Sequence, residues 1–136
     1  MGRAEEVLRM WFLEIWNKGR IDLYPQLATD DLALHTVGMH SERLVGLKGF
    51  LTLYEPLRGA FPDITFNVEE IVEAGNSAAI RWTCIGTHKG DHLGVKATHK
   101  TVRISGMAFV RMRGGKVAES WDEWDRQGFI AQIATA

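Results

Sequence analysis

TVRISGMAFVRMRGGKVAESWDEWD, residues 101–125, decides the fold. Thirteen residues of strand-like alternation run into Gly114-Gly115 and then into a second alternating run. Two glycines between such runs predict a tight β-hairpin. Side chains alternate across a strand. Ala118, Ser120, Asp122 and Trp124 therefore share one face, and Val117, Glu119, Trp121, Glu123 and Asp125 the other. Each face carries carboxylates and indoles together. A carboxyl group beside a Trp inside a cavity loses hydration, which raises its pKa from about 3.9 toward the range of a general base. The plainer alternative is a solvated face whose Trp lies at a subunit contact.

Outward from this hairpin, the second half of the chain continues as β. ITFNVEEIV (64–72) alternates Ile64, Phe66 and Val68 with Thr65, Asn67 and Glu69. GNS (75–77) marks a turn, and AAIRWTCIGTH (78–88) reads as the next strand. Residues 89–100 are rich in Gly and His and read as a loop. The front half is helical: Ala4, Val7, Leu8, Trp11, Phe12 and Ile15 recur on one helix face. Gly19 is a stop. A short helix is expected over Leu23 to Ala28, and DLALHTVG (31–38) reads as a strand with Leu32, Leu34 and Thr36 on one face. A third helix starts near Leu47 and keeps Phe50, Leu51, Tyr54, Leu57 and Phe61 in helical spacing; Pro56 kinks it and Pro62 stops it. A terminal helix covers Phe129 to Ile133. Helices followed by antiparallel strands predict an α+β domain spanning 1–136. Its helices would pack on a curved sheet around an apolar cavity, a usual setting for a small-molecule site.

Composition narrows the function. The 136 residues are 46% hydrophobic with net charge −1, so nothing points to a nucleic-acid partner or an anionic membrane surface, and neither is expected. Cys84 stands alone, so no internal disulfide forms. The start, MGRAEEVLRMWF, has no signal-peptide apolar core, and no apolar run reaches the ~18 residues of a membrane span. These features predict a cytoplasmic protein. No phosphate loop or dinucleotide fingerprint occurs, and Ser120 has no His and Asp pattern of a nucleophile. His88, Asp91, His92 and His99 could hold a metal, but they fall in a loop where spacing sets no geometry, and no metal is expected. His35 lies on a strand among apolar residues, where a packed neutral ring is the ordinary reading and a catalytic one the alternative. Asp125 reads as a helix N-cap. Trp82 and Met107 are chosen as pocket residues from alternation on central strands. Arg81, Arg103, Arg111 and Arg113 read as surface residues; the alternative for Arg81 is a pairing at an oligomer contact, where Trp121 and Glu119 would join it.

Three segments carry a resemblance: GGKVAESWDEWDRQGFIAQI (114–133), GAFPDITF (59–66) and RWTCIGTHKGDHLGV (81–95). Together they resemble SnoaL-like polyketide cyclases of the nuclear-transport-factor-2-like superfamily. The resemblance implies a conical α+β barrel and cofactor-free acid–base chemistry on a small apolar or aromatic carbonyl compound. In the cyclases, an Asp on the last strand drives an intramolecular aldol closure, and Asp122 matches it. The implied alternatives are a ketosteroid-isomerase-like or epoxide-hydrolase-like enzyme, or a binding module without catalysis. Where the cyclases carry a His on the preceding strand, this chain has Met107 or Ala108, so His35, His40 or Arg81 would have to supply a polar partner. The catalytic candidates are thus Asp122 and His35. The candidate pocket comprises Trp11, Trp16, Tyr54, Trp82, Met107, Phe109 and Trp124. Family members often have Phe, Pro and Gly at His92, Lys96 and His99. A homodimer, or a tetramer, through the outer sheet face is also expected.

Overall fold

The computed structural model describes residues 2–35 and 43–134. Thr36, Val37 and His40 lie outside the described residues.

The first helix begins as α1 (Arg3–Met10) and widens into π-helical turns over Trp11–Trp16. All six positions of the predicted apolar face are buried, and Trp16 joins them. Gly19 ends the segment at φ +72, with its N–H donating to Ile15 O at 3.1 Å; a left-handed φ favours glycine there. The expected second helix starts earlier, as a 3-10 turn (Ile21–Leu23), and has one α turn, α2 (Tyr24–Leu27), ending before Ala28. Strand β1 (Ala28–His35) starts at once, and the two-residue β2 (Leu44–Val45) pairs with it. Helix α3 (Gly46–Ala60) buries Phe50 and Tyr54, whereas Leu47 in its first turn is exposed. Pro56 lies within α3 without ending it, and the helix stops just before Phe61-Pro62.

Strands β3 (Thr65–Ala74), β4 (Ser77–Thr87), β5 (Thr101–Arg113) and β6 (Lys116–Trp124) follow as an antiparallel meander. Gly114 and Gly115 both have positive φ, +61 and +79, as a two-residue hairpin turn of matching twist requires. The full order is β2-β1-β6-β5-β4-β3, with β1 and β6 parallel and every other pair antiparallel. The sheet is therefore open, ending at β2 and β3. Helix α1 packs against β3, β4 and β6, while α3 packs against β1 and β2. The short α4 (Arg126–Ile133) docks on β5, where the Gln132 side chain exchanges hydrogen bonds with the Arg103 backbone at 2.8 Å. β6 lies mid-sheet between β1 and β5, which carries its inner face under the helices. Among the described residues, no helix is long and apolar enough to cross a membrane.

One bulge corrects the predicted alternation. Arg111 faces Glu119, but Met112 faces Val117, so Ala118 is the extra residue. Beyond it the phase shifts and Val117 turns inward to the core.

Candidate functional site

A cavity of about 100 Å³ lies between the helices and the inner sheet face. Trp11, Phe12 and Trp16 line it from the π-helical turns, Phe50 from α3, and Phe66 and Trp82 from β3 and β4. The wider winding sets three aromatic side chains on one short wall, a feature that recurs at functional sites. The helix is braced from behind. The Tyr54 hydroxyl donates to Ile15 O at 2.7 Å, and Arg58 donates to Trp16 O.

β6 supplies the polar groups, Ser120 and Asp122, and the indole of Trp124. The Ser120 hydroxyl donates to Asp122 Oδ2 at 2.9 Å. Asp122 meets water only in part and is otherwise enclosed by protein. That burial pushes its pKa up to about 7, although the Ser120 hydrogen bond and the Arg126 guanidinium favour the charged form. Cys84 also lines the cavity, but burial pushes its thiol to about 12 and keeps it protonated at neutral pH.

Five of the predicted residues come together here: Asp122, Trp11, Trp16, Trp82 and Trp124. Tyr54 does not line the cavity; it is a buried brace for the π-helical turns. Met107 and Phe109 are on the opposite face, 57% and 42% exposed. Register explains the correction: Ala108 pairs with Asp122 and Gly106 with Trp124, so the inward positions of β5 are its small residues. Alternation groups Met107 with Phe109 but does not say which set of β5 looks inward, and the expected one faces outward. His35 is also directed outward. Its Nε2 lies 2.8 Å from Glu119 Oε2 and its ring stacks on Trp121 at 5.1 Å. It does not sit across the cavity from Asp122. Arg81 is an outer-face residue too, 3.6 Å from Glu70. The cavity residues absent from the predicted set include Phe12, Phe50, Phe66 and Ser120; helix spacing marked the first two, and strand alternation marked Phe66 and placed Ser120 beside Asp122.

A family model described as SnoaL-like polyketide cyclase matches residues 6–133. The chain belongs to this family. A candidate polyketide cyclase from Acidithiobacillus ferrooxidans shares the fold with a TM-score of 0.84 and 27% identity, over 97% of this chain and 94% of that one. IdmH, a candidate polyketide cyclase from Streptomyces antibioticus, has a TM-score of 0.84 at 23% identity over 98% and 100%. AclR, a candidate hydroxylase from Streptomyces galilaeus, has a TM-score of 0.81 at 22% identity over 96% and 80%. No curated protein matches it in sequence.

Within this SnoaL-like frame, the residue directly across from Asp122 is Ala108, which carries no proton. Its neighbour Gly106 has a different task. A Cβ there would lie 2.3 Å from Trp82 Cζ2 and 2.9 Å from Trp124 Cβ. Only a glycine lets Trp82 lie on the β5 backbone beside the cavity. Gly106→Ala is expected to cost about 1–3 kcal/mol by overpacking, read by urea unfolding. An unchanged midpoint and slope would show that the indole moves aside freely.

The His-rich loop holds itself together. His88 is buried and stacks on Phe61 at 5.3 Å, and its Nδ1 accepts the Thr98 N–H at 3.3 Å. Asp91 Oδ1 accepts the Ala97 N–H at 2.7 Å. Among the described residues, no group of three or more His, Cys, Asp or Glu is placed to hold a metal ion. His99 takes φ +59, a conformation that favours glycine. Asp125 caps α4, its Oδ1 accepting the Gly128 N–H at 2.9 Å.

Proposed function

We propose that this SnoaL-like protein is a cofactor-free acid–base enzyme that closes a ring in a small apolar carbonyl compound by an intramolecular aldol step. The observation that carries this reading is one carboxyl group, raised to about 7, in an aromatic cavity. Its walls suit a flat apolar body, and its polar end on β6 suits a carbonyl group. Asp122 takes a proton from a carbon flanked by carbonyls. The resulting enolate forms a carbon–carbon bond to a second carbonyl of the same molecule, whose oxygen becomes an alkoxide. Asp122 then returns the proton to that oxygen. A pKa near the working pH suits both transfers. The cavity adds orientation, worth ~7–11 kcal/mol in favourable cases.

The test is deuterium exchange from D2O into a panel of 1,3-dicarbonyl compounds and polyketide-like esters, followed by NMR. Exchange that disappears in Asp122→Asn is expected. Exchange that persists would remove Asp122 as the base. Ala108 opposite Asp122 favours a second reading, a binding module without catalysis. Its mark is a panel that raises the melting temperature but exchanges no protons.

We further propose a homodimer through the outer face. Met107, Phe109 and Trp121 are exposed there, and the Arg111 guanidinium lies 5.7 and 5.8 Å from the Phe109 and Trp121 rings. Apolar side chains rimmed by charge mark association surfaces. Light scattering is expected to give twice the chain mass for wild type and a single chain for Phe109→Glu. A monomeric wild type at tens of micromolar would refute it.

A further inference from the structure

We propose that Ser120 is a positioning residue, whose hydroxyl anchors one carboxyl oxygen of Asp122 against β6 and so aims the group at the cavity. The inference deepens the acid–base reading of Asp122 and rests on it.

The geometry comes from the strand itself. Residues two apart share a face, and the Ser120 hydroxyl spans that spacing to reach Asp122 Oδ2 at 2.9 Å. Ser120 is 4% exposed. It is flanked in register by Leu34 on β1 and Val110 on β5, neither of which offers a side-chain partner. A buried hydroxyl is costly unless hydrogen-bonded, and packing alone would be met by alanine. The hydroxyl is therefore explained by Asp122.

Two consequences follow. A hydrogen bond to a charged group is stronger than one to a neutral group, so Ser120 favours the carboxylate over the acid. It also opposes the burial that favours the acid, which keeps the group near neutrality rather than above it. Among the described residues, the other charged groups that act on Asp122 include Arg126 at the start of α4, Glu123 on β6 and His35 on β1. Ala108, across on β5, adds no charge. None of these is altered by a change at Ser120.

The experiment follows the Asp122 carboxyl carbon by NMR through a pH titration in wild type, Ser120→Ala and Ser120→Thr. Ser120→Ala is expected to make Asp122 about a tenfold weaker acid, a change of ~1.4 kcal/mol, and to move the acidic limb of any exchange profile with it. Ser120→Thr keeps a hydroxyl and is expected to titrate with wild type. A serine that only fills space would alter the melting temperature of Ser120→Ala and leave the titration in place. Coincident titrations of wild type and Ser120→Ala would overturn the proposal, as would a threonine variant that follows alanine. The base reading fails separately. It falls if wild-type Asp122 titrates near 3.8, whatever the difference between the serine variants.

Discussion

Asp122→Asn is expected to lower carbon-acid exchange by about 10²–10⁴-fold, the usual worth of a positioned general base, while making the protein more stable above neutral pH. The second effect follows from the same burial as the first. In the unfolded chain the carboxyl group titrates near 3.8, and in the folded protein at about 7. Between these values the folded state holds a proton that the unfolded state has released. Stability from this group is fully present below the lower value. It declines as pH rises through the window and is gone above the upper one. The full difference is roughly 4 kcal/mol, and water entering the cavity reduces it toward roughly 2. Asparagine has no proton to lose and nearly the same shape. The variant is therefore expected to match wild type near pH 4 and exceed it at pH 8, by urea unfolding at both. Equal stabilities at pH 8 would show that Asp122 ionises in the fold without cost. The expected gain of the asparagine variant would mark a site where activity is retained against stability.

Phe50→Ala is expected to remove about 3–5 kcal/mol, a large share of the total for a domain of this size. Phe50 is 2% exposed. Its ring lies 4.8 Å from Trp11, 5.7 Å from Trp16, 5.1 Å from Tyr54 and 5.9 Å from Tyr24. It thus joins α3 to the π-helical turns and to α2, and it also lines the cavity. Truncation loses these contacts and merges the void with the existing space, which the stiff aromatic wall is slow to refill. Phe50→Leu keeps most of the volume and is expected to cost under about 1.5 kcal/mol. Guanidinium unfolding of both variants checks the pair. A loss below about 1 kcal/mol for alanine would mean that the helices hold the wall without this ring.

Local patterns in the sequence were enough for several parts of the molecule. Helical spacing over Ala4 to Ile15 set a buried face, and the structure buries every one of its six residues. Gly114-Gly115 implied the hairpin, because two consecutive positive φ angles suit glycine. Alternation placed Ser120, Asp122 and Trp124 together, since a period of two groups residues without any knowledge of partners. The resemblance to SnoaL-like cyclases then singled out Asp122 from four nearby acids.

Tertiary structure decided what a period of two leaves open, namely which face looks inward. On β5 the small residues Gly106 and Ala108 do so, because they must make room for Trp82 and lie opposite Asp122 and Trp124. Met107 and Phe109 are consequently outside, despite their size. His35 likewise follows its strand outward to Glu119 and Trp121, a neighbour 86 positions away that only the parallel pairing of β1 with β6 brings near. The bulge at Ala118 arises from register between strands, so Val117 could not be placed from β6 alone. Sequence near a residue sets its periodicity and turn chemistry; the burial that raises Asp122 exists only once distant helices close over the sheet.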